Sequence, residues 1–395
     1  MKLLYISSFQ FLIKDEVPYT IAAYGNRFWD QYSDVFEEID VLGEFFHDSF
    51  DESQIQPITR KDVHVKLLPA MSRPSDYFNI IKVKPKLEEE IKKSDCILIK
   101  VISRKANLAI KLAKKHNKPY MIGMTGDVAG VLKSSKSIIR RIYGEILYRQ
   151  SLRAIKDCKY GTYVTQEYLQ KIYPIEGKMC GFTDAVLPSV DDVVLEKRLQ
   201  KIHSMKDDSK IILGIIGSYH DNNKGYDTII KALEIIKNEN ICLHILGVGV
   251  KEDQEKWISY ASKHNVHNIV FDKPVSGVEN VFKWMDQLDI CLLPSRSEGL
   301  PRSIAEAITR ACPCIVSNIA GLPELVEAKW LHDPEDYEKL ASLIQKMLSD
   351  KCLMEDTAKN NFEHAKQYMP AHVKEKRDAF FTEFKMYAEG FKKNI

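Results

Sequence analysis

Short apolar runs rich in β-branched residues alternate with longer amphipathic stretches along the whole chain. In the first half these runs predict strands at Leu3–Ser7, Ile39–Leu42, Val63–Leu68, Cys96–Lys100, Tyr120–Met124 and Gly161–Thr165. Helical periodicity lies between most of them. Strands that alternate with helices are typical of parallel sheets covered by helices on both faces, so the pattern predicts an α/β fold.

The same alternation begins again in the second half. Strands are predicted at Ile211–Gly217, Ile241–Gly247, Ile269–Phe271, Ile290–Pro294 and Cys314–Ser317. Helices are predicted at Tyr226–Lys237, Glu252–His264, Val278–Met285, Ser303–Arg310 and Pro334–Ser349. A polar connection separates the two series, and we place the domain boundary near residue 195. We therefore expect two doubly wound, Rossmann-like domains, 1–194 and 195–370, with a ligand cleft where the carboxyl ends of their strands face each other.

The net charge of +2 conceals a basic segment in the first half. From Lys92 to Lys159 the chain carries seventeen lysines and arginines against four acidic residues. Within it, Val131–Ile155 has a basic amphipathic pattern suited to an anionic bilayer surface. Its apolar positions are Ile138, Ile139, Ile142, Tyr143, Ile146 and Leu147, and its basic ones are Lys133, Lys136, Arg140, Arg141, Arg149 and Arg153. The alternatives are that the charges form an ordinary solvated surface, or bind a phosphate-bearing acceptor, and that the apolar stripe packs on the domain core.

One candidate binding segment follows the predicted strand Ile211–Gly217. Gly217 and Ser218 come directly after the buried run, and Lys224 precedes the next helix. A transition from strand through glycine to helix directs backbone N–H groups and the positive end of the helix toward an anion, and Lys224 adds a full charge. The segment indicates a phosphate site, although the same kind of turn also serves packing alone.

A second candidate segment is Pro294–Ala307. Gly299 allows a close approach of the backbone, and Pro301 suits the first turn of a helix whose N-terminus then points toward the ligand. Glu298 precedes this helix and Glu306 lies within it, so both carboxylates can accept hydrogen bonds from sugar and ribose hydroxyls. The alternative is that Glu298 caps the helix and Glu306 is an exposed helical residue.

The two glutamates lie in the sequence S-E-G-L-P-R-S-I-A-E-A, with seven residues between them. This spacing resembles the E-x7-E motif of retaining GT-B glycosyltransferases of family four. The following segment, Ser317–Leu325, resembles the part of that family near the nucleotide, and the similarity covers residues 210–350. Over the first half the similarity rests on the architecture and on residues 160–174 and 181–188, which resemble bacterial surface-polysaccharide transferases.

By this resemblance, Glu306 holds the donor ribose, Glu298 contacts the transferred sugar, and Lys224 neutralises the diphosphate. The implied donor-binding residues are Gly217, Ser218, His220, Lys224, Gly299, Leu300, Pro301, Arg302, Ser303 and Glu306. Ser218 stands where many members have a phosphate-binding arginine. We therefore expect His220, or a residue of the other domain, to replace that arginine.

The first half departs from the family pattern as well, because a histidine found in many members is absent. Asp127 follows the strand Tyr120–Met124 instead. It either touches the donor sugar, orients the acceptor, or caps the next helix. The last segment, 371–395, has helical periodicity, and the resemblance implies that it packs back on the first domain.

The resemblance implies a retaining transferase that uses a nucleoside diphosphate sugar and a glycan or lipid-linked glycan acceptor in bacterial capsule, O-antigen or exopolysaccharide synthesis. Lys224 and the helix N-terminus would stabilise the leaving group. We expect no metal or other cofactor, since no Asp-x-Asp motif is present, and no nucleic-acid partner. We expect a cytoplasmic protein that can associate with the inner face of the membrane. The alternatives are a nucleotide-sugar epimerase of the GT-B type and a non-catalytic nucleotide-sugar-binding subunit.

Overall fold

The computed structural model describes residues 1–392 except 22–23, 46–54, 72–73, 134, 136, 184–186, 188, 190, 207 and 276. The chain forms two compact units. The first consists of Met1–Asp184 and Val373–Ile395, and the second of Ala185–His372. The division thus falls some ten residues before position 195, and the C-terminal helix belongs to the first unit.

The first unit is built on one large sheet. Its strands are β1 Lys2–Lys14, β2 Val17–Ile21, β3 Glu38–Phe45, β4 Ile55–Pro57, β5 Val63–Leu68, β6 Cys96–Val101, β7 Tyr120–Met124, β8 Tyr160–Tyr163 and β9 Lys178–Gly181. Its helices are α1 Asn26–Ser33, α2 Ile80–Lys93, α3 Arg104–Lys115, α4 Val128–Lys133, α5 Ile138–Ile155 and α6 Tyr168–Ile172. The parallel strands run in the order β5-β3-β1-β6-β7-β8-β9.

The first strand is longer than the sequence pattern predicts. It continues past Ser7 to Lys14, and its second half pairs antiparallel with β2, which in turn pairs antiparallel with β4. Leu12 lies opposite Tyr19 in this extension. The sheet of the first unit is therefore parallel with an antiparallel addition on one strand.

The second unit contains a parallel sheet in the order β12-β11-β10-β13-β14-β15. Its strands are β10 Ile211–Ile216, β11 Ile241–Leu246, β12 Ile269–Asp272, β13 Ile290–Leu293, β14 Cys314–Ser317 and β15 Leu331–His332. Its helices are α7 Asp192–Ser204, α8 Tyr226–Ile236, α9 Lys251–Lys263, α10 Val278–Gln287, α11 Arg302–Thr309, α12 Tyr337–Leu348 and α13 Lys351–Ala365, and the chain ends in α14 Pro370–Lys392.

The predicted elements of this half are present, with most ends displaced by one or two residues. The last predicted helix differs more, because it begins at Tyr337 instead of Pro334. The reason is a cap: the side chain of Asp336 accepts a hydrogen bond from the backbone N–H of Lys339, which fixes the start of α12 there. The helices α7 and α13 and the short strand β15 were not predicted.

Burial explains why the strands of the second unit are so apolar. Leu213, Leu243, Leu292 and Ile315 are inaccessible to solvent, because helices cover both faces of the sheet. In the first unit, α14 contributes Phe381 to the core. The carboxyl ends of the strands in each unit are the positions from which loops can carry chemistry.

Candidate functional site

The loop after β10 is pressed against the loop after β13. Gly225 lies between them with a left-handed backbone (φ 77°) and forms the N-cap of α8. A Cβ atom at this position would stand 2.1 Å from the carbonyl oxygen of Pro294. Glycine is therefore required at position 225 for two reasons: the left-handed backbone conformation and the close approach of the two loops. This contact sets the position of Lys224, the residue directly before it.

Lys224 and Glu298 meet where these loops touch. The Nζ of Lys224 donates a hydrogen bond to Oε1 of Glu298 at 2.6 Å, and the hydroxyl of Ser295 donates to the same oxygen at 2.6 Å. The side chains of Lys224 and Glu298 are only 21% and 10% exposed. The lysine also lies over Gly217, where a Cβ would come within 2.9 Å of its chain. The structure thus brings Glu298 into contact with Lys224, 74 residues earlier in the chain, beside Gly217.

The capping alternative for Glu298 is wrong. The N-cap of α11 is Pro301, and no side chain caps this helix. The carboxylate of Glu298 instead binds the lysine and the serine. A partly buried carboxylate held by an ammonium group and a hydroxyl has the strong acceptor character that sugar hydroxyls require.

Glu306 lies within α11 and is not an exposed helical residue, because its side chain is only 15% exposed. Burial raises the pKa of its carboxyl to about 7, and the positive charge of Arg302 lowers it in part. The Nε of Arg302 is 3.9 Å from the carboxylate, at the weak limit of an ion pair, and the arginine itself is exposed. Glu306 is therefore a carboxyl group whose charged form lacks strong compensation in the free protein.

Arg296 lies in the candidate segment Pro294–Ala307, but no role was predicted for it. Its guanidinium donates to both carboxylate oxygens of Asp227, at 3.0 and 2.8 Å, and to Glu335 at 2.6 Å. Burial opposes ionisation of Asp227, but hydrogen bonds from Arg296 and Asn222 outweigh it, and the pKa of the carboxyl is lowered. Asp227 lies in the first turn of α8 and Glu335 in the loop after β15, so no local pattern could have indicated these partners.

The two residues expected to handle phosphate on the β10 loop lie at the surface. Ser218 is exposed, and its hydroxyl accepts a hydrogen bond from the backbone N–H of His220 at 3.3 Å. The Nδ1 of His220 is 2.9 Å from Asp253, whose carboxylate also accepts from the backbone N–H of Val250. His220 is thus held by an acidic partner on α9 while most of its ring faces solvent.

The remaining predicted donor-binding residues form the start of α11. The carbonyl of Gly299 accepts a hydrogen bond from Gly321 at 2.9 Å. Leu300 packs against the core of the second unit, and Pro301 is buried. Ser303 lies half-buried in the first turn. These residues fix the entry of the helix, and their contact with a donor stays a prediction.

Asp127 belongs to the first unit and acts as a cap. Its Oδ1 accepts a hydrogen bond from the backbone N–H of Gly130 at 2.7 Å, at the beginning of α4, and another from the hydroxyl of Tyr173. Of the roles considered for this residue, the structure therefore gives direct evidence for helix capping. A role in catalysis stays a prediction.

The basic segment Val131–Ile155 forms two helices, the end of α4 and the whole of α5. Gly144, Leu147, Ser151 and Ile155 make up the buried face of α5. The opposite face begins with four exposed isoleucines, Ile138, Ile139, Ile142 and Ile146. The alternative that the apolar stripe packs on the core is therefore wrong for these four residues, although it holds for Leu147. Lys136 lies outside the described residues.

The described residues contain neither a candidate metal site nor a candidate membrane span. No three side chains of His, Cys, Asp or Glu are grouped there in a way that could hold a metal ion. No helix within the same ranges is long and apolar enough to cross a membrane.

The sequence around these residues is similar to a known protein family. Residues 210–350 match the family model described as "Glycosyl transferases group 1". Protein CapJ of Staphylococcus aureus is 27% identical over 99% of this chain and 97% of its own length. The amylovoran biosynthesis glycosyltransferase AmsK of Erwinia amylovora is 31% identical over 31% of this chain and 33% of its own.

The fold is shared with solved structures of low sequence identity. Anabaena HepE, solved in complex with UDP, has a TM-score of 0.65 at 14% identity and covers 97% of this chain and 100% of its own. The same protein was also solved with UDP-glucose. The region that resembles this family, residues 210–350, encloses Lys224, Glu298 and Glu306, and the chain shares with HepE the GT-B fold of two Rossmann-like units.

Proposed function

We propose that this glycosyltransferase moves a sugar from a nucleoside diphosphate sugar to a glycan or lipid-linked glycan, in the synthesis of a bacterial surface polysaccharide. The observation that carries the proposal is the ion pair of Lys224 with Glu298 at the carboxyl edge of the second sheet, inside the region that matches the family. HepE binds UDP and UDP-glucose, and AmsK is named for amylovoran biosynthesis. The ligands of HepE support a nucleotide donor, and the name of AmsK supports a polysaccharide product.

The chemistry proposed for the donor follows from the charges. The bond between the anomeric carbon and the phosphate oxygen breaks, and its electron pair stays with the departing diphosphate. The acceptor hydroxyl oxygen attacks the same face of the sugar, which retains the configuration, and its proton passes to the leaving phosphate. Negative charge therefore grows on the diphosphate, and Lys224 is the cation placed to meet it.

The pairing of Lys224 with Glu298 in the free protein supports an exchange of partners on donor binding. The diphosphate carries more negative charge than one carboxylate, so it attracts the Lys224 ammonium away from Glu298. The carboxylate then accepts hydrogen bonds from hydroxyls of the transferred sugar, while Ser295 keeps it oriented. Glu306 binds the ribose. We propose that no resident metal takes part, because the lysine and the backbone of α11 supply the positive charge.

We further propose that the first unit associates with an anionic membrane through α5. Ile138 and Ile139 are 63% and 71% exposed, and the exposed Arg140, Arg141 and Arg153 lie on the same helix. This composition matches that of a helix that lies in the membrane interface. The isoleucines would enter the boundary of the acyl chains, and the arginines would lie at the level of the lipid phosphates. A lipid-linked acceptor would be presented at such a surface.

The test is incubation of the purified protein with a panel of nucleoside diphosphate sugars and extracted lipid-linked or free glycan acceptors. The proposal expects release of free nucleoside diphosphate and a glycosylated product whose anomeric configuration matches the donor by NMR. A changed sugar that remains attached to its nucleotide would instead identify an epimerase. A donor that binds, as detected by a thermal shift of the protein, without any reaction would identify a non-catalytic binding subunit.

A further inference from the structure

The loop that carries Lys224 is fastened on both sides of the lysine by the loop that carries Glu298. Before the lysine, the carbonyl of Asn222 accepts from Nη1 of Arg296 at 2.6 Å, and the carbonyl of Asn223 accepts from the backbone N–H of Arg296 at 2.8 Å. The side-chain amide of Asn223 donates to the carbonyl of Ser297 at 3.1 Å. These contacts, together with the close approach at the next glycine, fix the backbone around the lysine.

After the lysine, the same arginine holds the first turn of α8. Its Nη2 donates to both carboxylate oxygens of Asp227, three residues beyond Lys224, and its Nε donates to Glu335 in the loop after β15. All three nitrogens of the guanidinium therefore donate hydrogen bonds. Their partners lie in the loop after β10, the first turn of α8 and the loop after β15. A planar fork of this kind sets direction as well as distance, which a lysine would not do.

We propose that Arg296 is a positioning residue for Lys224: it holds the lysine in place for the leaving diphosphate and neutralises Asp227 in the first turn of α8. The inference rests on the proposed function, because the role of Lys224 is assigned there. Without Arg296, the half-buried carboxylate of Asp227 would lack its cation. It would then compete for the lysine or repel the incoming diphosphate. The effect on transfer would come through Lys224, with no contact between Arg296 and the donor.

The chain offers a matched control in the same unit. Arg310 also binds both oxygens of one carboxylate, because its Nε and Nη2 donate to Asp286 at 2.8 and 2.7 Å, and its side chain is partly buried like that of Arg296. That pair lies at the end of α11 and ties none of the loops around Lys224. Arg310→Met therefore reports the loss of a comparable ion pair without loss of positioning.

The experiment compares donor kinetics and melting temperatures of Arg296→Met and Arg310→Met. Arg296→Met should lower the turnover number at saturating donor by about a hundredfold, because a displacement of about 1 Å at a reacting group has effects of this size. Arg310→Met should keep the wild-type turnover, with a melting temperature similar to that of Arg296→Met. Arg296→Lys, which keeps the charge and is more certain to fold, should remain impaired at least tenfold, since the fork is lost.

A double substitution then tests whether Arg296 acts through Lys224. If it does, Lys224→Ala with Arg296→Met should be no slower than Lys224→Ala alone, within about threefold, because coupled residues are not additive. Turnover losses that multiply would overturn the positioning role, as would wild-type turnover in Arg296→Met. If Lys224→Ala itself transfers sugar at the wild-type rate, the proposed leaving-group chemistry fails first, and this outcome is distinct from a failure of Arg296 alone.

Discussion

Replacing Glu306 with glutamine should separate the stability of the second unit from its binding of the donor. The substitution keeps the shape of the side chain and removes its charge. In the free protein the carboxyl is buried in α11, with Arg302 at a distance of 3.9 Å. The ionised form is therefore disfavoured before the donor arrives, while the proposed ribose contact requires it.

The size of the effect follows from the pKa. Burial raises the pKa of Glu306 from 4.5 to about 7. Between these two pH values the folded protein binds a proton that the unfolded chain has lost, so the folded state loses stability as the pH rises through this window. A rise of this size corresponds to about 3 kcal/mol at pH 8. Glu306→Gln never ionises and should be more stable than the wild type at pH 8 by about this amount.

Thermal and urea unfolding at pH 4.5 and pH 8 provide the assay. At pH 4.5 the wild type and Glu306→Gln should differ by only about 0.4 kcal/mol, because the folded carboxyl is neutral and the unfolded one is half ionised. At pH 8 the variant should melt several degrees higher. Glu255→Gln is the control, because Glu255 is 63% exposed on α9, and its substitution should give no such pH-dependent gain. The Michaelis constant for the donor should meanwhile rise about tenfold in Glu306→Gln, since a charge-assisted hydrogen bond is lost.

Equal pH dependence in the wild type and Glu306→Gln would refute this reasoning. It would mean that the carboxylate ionises at no cost in the free protein and that its burial carries no energetic consequence. A variant that is more stable at pH 8 but binds the donor as tightly as the wild type would support the raised pKa of Glu306. It would contradict the proposed contact between Glu306 and the ribose.

Three further outcomes follow from the same structure. Lys224→Ala should lower the turnover number about a hundredfold, whereas Glu306→Ala should mainly raise the Michaelis constant for the donor, as steady-state kinetics would show; a reversal of the two would contradict their roles. Ile138→Asp with Ile142→Asp should abolish sedimentation with vesicles that contain phosphatidylglycerol at low salt, and unchanged sedimentation would remove α5 from the membrane proposal. Ser218→Arg should keep or tighten the binding of nucleoside diphosphates in calorimetry, and weaker binding would place the diphosphate elsewhere.

The sequence predicted the second unit well because its strands are apolar on both sides. Cys314–Ser317 was predicted with its observed ends, and each residue of this strand is buried. The extension of β1 was missed for the opposite reason. Val17–Ile21 and Ile55–Pro57 are only partly buried, and Ile55–Pro57 pairs with a strand distant in sequence, so neither carries a strong local signal.

The candidate site was predicted in part. Glu298 and Lys224 were chosen from their motifs, and the structure places them in contact. The interactions of Arg296 could not be predicted, because Asp227 and Glu335 lie 69 and 39 residues away in the chain. Asp127 illustrates a further limit. Its position after a strand is the same for a catalytic acid and for a helix cap, and only the hydrogen bond from Gly130 shows that it caps α4.

The central claim is that Lys224 meets the diphosphate of the donor, and titration calorimetry of nucleoside diphosphates tests it most directly. UDP, GDP, ADP and TDP would each be titrated into the wild type and into Lys224→Ala, which removes the ammonium group that Glu298 holds at 2.6 Å in the free protein. The account predicts that at least one of them binds the wild type and binds Lys224→Ala at least tenfold more weakly. Equal affinity for both proteins would contradict it.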